Sequence, residues 1–467
     1  MAVRATLFPL FSAVALRSKF TVNSYSVSSA SPTCSPPVRL NVSHDFVART
    51  LSPPTSVYVH LPFCRKRCHY CDFPIVALGT SSLSTLSATD DDPRISNYVT
   101  LLCREIETVR NRGPGEPPLE TVYFGGGTPS LVPAGLVSAI LNALRKKFGL
   151  SSDVEISMEV DPGTFDEGKL SELKELGVNR VSVGVQAFQD ELLGNCGRAH
   201  GLKEVMEAIQ IVGACGYQNW SLDLISSLPH QTAEMWQESL HMAVKAAPTH
   251  ISVYDLQVEQ GTKFGLWYKP GVYPLPSENQ SALFYRTASQ ILADGGYNHY
   301  EISSYCKNGS ECKHNLVYWK NSPFYGFGLG SASYIGGVRF SRPKKLKEYM
   351  SYVDRLEKEQ SNDQAECDLD ARDLAMDVLM LSLRMARGLD VKEFSRAFGH
   401  DLVFSLFETF RPFLESGHVL ALDDNGRPVT AHEIGLQDIV AYIRLSDPDG
   451  FLLSNELISM AFGVISP

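Results

Sequence analysis

The chain has 467 residues, 44% of them hydrophobic and 20% charged, with ten cysteines and a formal net charge of −10. That length allows two or three domains and a large core, and ten cysteines in so long a chain do not make a small disulfide scaffold. An acidic chain is a poor electrostatic partner for nucleic acid or anionic lipid, and no run of about 18 uncharged apolar residues follows the N-terminus, so neither a nucleic-acid partner nor a membrane span is expected.

From Met1 to His44 there is no Asp or Glu, while Arg4, Arg17, Lys19 and Arg39 supply positive charge and residues 24–37 are rich in Ser and Pro. This is the composition of an organelle transit peptide, and residues 1–50 are read as such, with a mitochondrion favoured slightly over a chloroplast. A secretory signal competes because residues 7–16 are apolar, but an oxidising destination suits the thiol motif that follows badly. A plain disordered tail is the structural alternative.

From residue 56 the texture alternates. Strands are expected at 57–61, 121–124, 154–160, 180–185, 220–225 and 250–256. Amphipathic helices are expected at 95–110, 134–148, 167–176, 202–215 and 233–246, each with apolar residues three and four apart, as in Leu136, Ile140, Leu141 and Leu144. Six strand–helix units imply a parallel sheet with crossover helices, a partial (β/α)6 barrel within an α/β fold over residues 51–300. Periodicity alone leaves an open doubly wound sheet as an alternative.

The first strand runs into Cys64-x3-Cys68-x2-Cys71. Thiolates this close on a loop can converge on one metal centre. A [4Fe-4S] cube held by three cysteines keeps one iron free of protein, open to the amino and carboxylate groups of S-adenosylmethionine (SAM). One-electron reduction of that sulfonium cleaves a C–S bond and gives a carbon radical. The competing reading is a zinc site completed by His60 or His69. Residues 77–92, aperiodic and rich in Ser, Thr and Asp, read as a surface insertion.

After the second strand comes Gly125-Gly126-Gly127-Thr128-Pro129-Ser130. Successive glycines let backbone N–H groups crowd round an anion, so Gly126, Gly127 and Thr128 are expected to cradle the amino-acid end of the cofactor. No Gly-x-Gly-x-x-Gly is present there, so it is no dinucleotide fingerprint. Glu159, Gln186, Asp223 and Gln257 stand at the C-terminal ends of later strands, where a barrel has its active mouth. Arg198 can pair a carboxylate bidentately.

Residues 301–365 form a connecting segment that contains His314-Asn-Leu-Val-Tyr318-Trp319. A histidine beside two aromatics offers an imidazole for iron and flat faces for a porphyrin; a loop histidine among packed rings is the plainer reading. A linker at 357–368 precedes a mostly helical domain over 366–467, with helices at 374–385, 391–398 and 401–416 and a β-like turn at 421–428.

Together these motifs resemble the oxygen-independent coproporphyrinogen III oxidase branch of the radical SAM superfamily: the cysteine triad, Tyr58-x-His60-x-Pro62-x-Cys64, the triple glycine, Ser157-Met-Glu-Val-Asp-Pro162, Val183-Gly-Val-Gln-Ala-Phe188 and Asp223-Leu-Ile225. The resemblance covers residue 56 to the C-terminus. It implies a [4Fe-4S] cluster on Cys64, Cys68 and Cys71, with SAM and cluster contacts from Tyr58, Tyr70, Gly126, Gly127, Thr128, Glu159, Gln186, Arg198 and Asp223. Oxidases of this branch usually carry a fourth cysteine two residues after the third; here that residue is Phe73. With the His314–Trp319 motif, this resembles the haem chaperone (HemW) group, and haem contacts from His314, Tyr318 and Trp319 are then implied. The partners implied are haem or a porphyrin, haem-accepting proteins and an electron donor for the cluster. Oxidative decarboxylation of coproporphyrinogen III is the alternative activity. Ser227, His230 and Ala332 depart from the branch's usual pattern.

Overall fold

The computed structural model describes residues 42–79, 92–110, 113, 115–307, 309–358, 370–429 and 439–465. Six parallel strands, β1 (Ser56–Leu61), β2 (Leu119–Gly126), β3 (Leu150–Val160), β4 (Arg180–Gln186), β5 (Asn219–Ser226) and β6 (His250–Asp255), lie side by side in chain order. A doubly wound sheet reverses its strand order midway. This one does not, so the partial barrel is the observed fold.

The crossover helices are α1 (Pro93–Thr108), α2 (Ala134–Phe148), α3 (Glu167–Glu175), α4 (Leu202–Ala214) and α5 (Ala233–Ala246). Their starts follow local chemistry: the side chains of Asp92, Asp166 and Thr232 accept backbone N–H groups at the N-termini of α1, α3 and α5.

The strands alternate strictly. Val57, Val59 and Leu61 on β1, Val122 and Phe124 on β2, Ile156, Met158 and Val160 on β3, and Val181, Val183 and Val185 on β4 all enter one core shared with the helices. At about 1.5–3 kcal/mol per buried side chain, this convex face drives the fold. The intervening residues are polar: Thr121, Ser157, Ser221 and Ser252 are buried, and Ser182 is half-buried. They form the concave face.

The sheet has nine strands, and two of the three added to the barrel strands, one of them an edge, come from the segment expected to be a mere connector. Ser304–Cys306 pairs antiparallel with β6, followed by Asn298–Glu301, and Tyr325–Phe327 pairs parallel with β1. A domain boundary at residue 300 therefore cuts the sheet. These strands are three or four residues long, too short to show a period. The motif Lys313–Trp319 is a helix, not a loop, and packs against β2.

The C-terminal unit has its own core around Leu379, Phe394, Leu406 and Phe410, which also takes in Trp319. It is helical, as expected, with an added three-stranded sheet from Leu389–Asp390, Val419–Leu422 and Tyr442–Leu445. It joins the barrel sheet directly: Ile302 N–H donates to Arg384 O at 2.9 Å, Ala386 N–H donates to Tyr300 O at 3.0 Å, and Glu301 bridges Met385. Residues 1–41 of the expected transit peptide lie outside the described residues. Its last part does not fit that reading: His44–Thr50 is a helix, with Ser43 N–H donating to Ala397 O at 3.1 Å and Phe46 edge-on to Phe398 at 5.1 Å. Most of the 77–92 insertion and of the 357–368 linker also lie outside.

Candidate active site in the barrel mouth

A cavity of about 360 Å³ opens at the C-terminal ends of the strands. Its lining includes Cys64, Cys68, Cys71, Tyr70, Gly126, Gly127, Thr128, Glu159, Gln186, Arg198, Asp223, His314, Tyr318 and Trp319, so residues as far apart in sequence as Cys64 and Trp319 meet there. Tyr58 is the exception. It is 1% exposed beneath the wall, its hydroxyl bonded to His60 Nδ1 at 3.1 Å.

At one end sit the thiols. Burial pushes Cys64 up to about 12 and Cys71 up to about 11, so each thiol becomes a thiolate only when something electropositive faces it. Donors already aim at two of the sulfurs: Thr128 Oγ1 donates to Cys64 Sγ at 3.6 Å and Arg198 Nη1 to Cys68 Sγ at 3.4 Å. The histidines proposed for a zinc shell are engaged elsewhere. His60 Nε2 meets Pro74 O at 3.1 Å and its Nδ1 meets Tyr58, while His69 Nδ1 meets Asn195 O at 2.9 Å.

The triple glycine does not offer the cradle expected of it. Gly126 N–H donates to Glu159 Oε2 at 3.0 Å, Gly127 N–H to Leu61 O at 2.9 Å and Thr128 N–H to Phe63 O at 2.6 Å. The glycines are there for closeness. A Cβ at Gly126 (φ 116°) would lie 2.5 Å from the His60 ring, and one at Gly127 would lie 2.7 Å from the Pro62–Phe63 backbone. The loop is thus bonded to the strand that leads into Cys64, which fixes the first cysteine.

Polar side chains from β3, β4 and β5 fill the floor. Glu159 Oε1 also accepts from the Tyr123 hydroxyl at 3.2 Å, and burial raises its carboxyl to about 7. Asp223 accepts from Ser182 Oγ at 2.8 Å and Ser221 Oγ at 3.2 Å; burial still leaves its pKa raised. Gln186 has φ 70°, a left-handed conformation that costs a non-glycine residue about 1 kcal/mol and turns the end of β4 toward the cavity.

Arg198 is no lone surface arginine. It ion-pairs with Asp161 through Nη2, which also donates to Gly184 O at 3.0 Å, while Nη1 donates to Tyr70 OH at 3.3 Å. Burial pushes Asp161 up, but Arg198 and His200 outweigh it and hold the carboxyl below its usual value. Asp161 was not singled out from sequence, although it directly follows Val160 at a strand end. Gly184 permits this crossing: a Cβ there would lie 3.0 Å from Gln186 Nε2.

The far wall is the Lys313–Trp319 helix. His314 is 1% exposed, and neither ring nitrogen is free: Nδ1 meets Thr121 Oγ1 at 2.7 Å and Nε2 meets Tyr318 OH at 2.8 Å. It stacks on Tyr123 with ring centroids 5.2 Å apart, and burial lowers its pKa to about 3. The free imidazole expected for iron is therefore not displayed. Ser227 (φ 62°), His230 (φ 67°) and Ala332 do not line the cavity.

Residues 58–243 match the Radical SAM superfamily. A Synechocystis sp. protein named heme chaperone HemW is 38% identical, over 88% of this chain and 97% of that protein. The mitochondrial radical S-adenosyl methionine domain-containing protein 1 of Danio rerio is 28% identical over 79% of this chain and 82% of its own length. The fold is similar to a solved structure of the Escherichia coli coproporphyrinogen III oxidase HemN, with a TM-score of 0.68 over 89% of this chain and 92% of that one; at 23% identity this bears on fold alone. With a relative this similar along nearly its whole length, the chain belongs to the HemW family of radical SAM proteins.

Proposed function

We propose that this protein is a haem chaperone, which binds haem beside a [4Fe-4S] cluster and SAM and passes it to haem-dependent proteins. Membership of the superfamily implies the cluster and SAM. The residues fit both groups: three thiols open on one cavity, hydroxyl and guanidinium donors point at two of the sulfurs, and the cavity beyond is large enough for a small ligand. Once bound, the cluster supplies one electron to the sulfonium.

The chain's own parts divide as follows. Cys64, Cys68 and Cys71 hold the cluster. Glu159, Gln186 and Asp223 meet the polar groups of SAM, and Arg198, braced by Asp161, offers its remaining N–H groups. The Nε–H of Arg198 is buried and has no acceptor among the described residues. Tyr58 and the glycine loop hold the floor in place. Tyr318 and Trp319 give the haem reading its aromatic wall, and His314 ligates iron only after the Tyr318 hydroxyl leaves Nε2.

The observation that supports this reading most is that one cavity joins the cysteine loop to the His314–Trp319 helix. It is tested by anaerobic reconstitution of the full chain, haem titration and product analysis with coproporphyrinogen III. Stoichiometric haem binding without decarboxylation is expected. Robust turnover of that substrate reverses the ranking in favour of the oxidase. His314→Ala and Tyr318→Phe then locate the iron ligand. Loss in the first with retention in the second supports His314; retention in both removes it.

We infer that the N-terminal segment directs the chain to an organelle. The zebrafish relative's name favours the mitochondrion, whereas the higher identity to a cyanobacterial protein favours the plastid. A fluorescent fusion of residues 1–43 decides between them.

A further inference from the structure

Three arginines are buried among the described residues: Arg180, Arg342 and Arg384. Two have acidic company. Arg342 Nε donates to Glu105 Oε1 at 2.8 Å, and Arg180 feels Glu155 and Cys312. Arg384 differs. It is 9% exposed, its one side-chain hydrogen bond is to the neutral Asn455 Oδ1 at 2.9 Å, and it forms no ion pair among the described residues. Glu301, on the strand that bridges Met385, turns its carboxylate to Ser303 N–H at 3.1 Å and to Ser304 instead. Burial alone lowers the guanidinium to about 10, which leaves it charged at neutral pH.

Leaving a buried cation unpaired costs several kcal/mol. Folds tolerate that where a ligand brings the counter-charge. Arg384 lines the cavity, and its backbone is clamped by the hydrogen bond from Ile302 N–H. Trp319 lines the same cavity, and its indole Nε1–H is buried with no acceptor among the described residues. Both unmet groups are donors, and neither can accept. An acceptor-only group with two oxygens, a carboxylate, satisfies both.

We propose that Arg384 and the Trp319 indole form a carboxylate-recognition site on the C-terminal wall of the cavity, which takes a propionate of the bound tetrapyrrole. This rests on the haem reading above. It assigns the C-terminal unit a direct part in ligand recognition. The carboxylate of SAM shares the same chemistry, so the test separates the two sources.

The full chain, with its cluster reconstituted, is titrated with haem, with haem dimethyl ester and with SAM. Wild type is expected to favour the diacid over the diester by about tenfold or more, as a charge-assisted pair requires. In Arg384→Met that preference falls to about twofold or less, Arg384→Lys retains part of it, Trp319→Phe lowers it less, and SAM affinity is unchanged in all three. Equal binding of both forms by wild type overturns the proposal without needing a folded variant. So does a preference that survives in Arg384→Met, or a loss confined to SAM. Binding of neither form brings down the haem reading itself, a result distinct from equal binding.

Discussion

The two ends of the cavity handle their polar groups in opposite ways. At the cysteine end the charged groups have protein partners: Arg198 with Asp161, Glu159 with Gly126 and Tyr123, Asp223 with Ser182 and Ser221. At the C-terminal end, among the described residues, Arg384 has no counter-ion and the Trp319 indole has no acceptor. The first end is a preorganised scaffold whose geometry exists before anything binds. The second is completed by its ligand.

The largest effect separating the ends is expected from Cys64→Ala. It should abolish cubane absorbance after reconstitution while leaving secondary structure intact, since the thiol is a free side chain on a short bridge. A full cluster in this variant would remove the premise that all three thiols are needed. Next is Asp161→Ala. It strands Arg198 as a buried unpaired cation, and breaking such a pair costs about 3–5 kcal/mol in chemical unfolding. A loss below about 1 kcal/mol would mean that this end, too, waits for its ligand.

Glu159 supplies the pH test. Burial raises its pKa from 4.5 to about 7, so the folded cluster-free chain holds a proton that the unfolded chain has released. Its contribution is therefore full below pH 4.5 and is lost as pH rises to about 7. Relative to Glu159→Gln, wild type should lose about 3 kcal/mol across that window, read from urea midpoints. A flat difference would place water against the carboxylate. The smallest effect is Ser182→Ala, which removes one donor to Asp223 at about 1 kcal/mol, because Ser221 remains.

Much of this was readable in the sequence, for physical reasons. A strand with one face against helices shows apolar residues at every second position, which is why the six barrel strands and their helices stood out. The short strands Ser304–Cys306 and Tyr325–Phe327 did not: three residues carry no periodicity, and pairing made them strands. The chemistry-bearing side chains were legible from spacing and family likeness. Their partners were not. His314 bonds Thr121 across 193 positions and Arg198 bonds Cys68 across 130, and no local pattern encodes such meetings. A signal was available for the polar concave face. Ser157, Ser182, Ser221 and Ser252 each stand between apolar neighbours on successive strands, a regularity visible only when strands are compared with one another.

The way the sheet is finished has a practical consequence. Because residues 304–306 cover β6 and residues 325–327 cover β1, a fragment that stops at residue 300 leaves β1 and β6 each with a bare row of backbone donors and acceptors. Such a truncated product should self-associate through those rows and partition into the insoluble fraction, so the cysteine-bearing half is best produced together with everything that follows it.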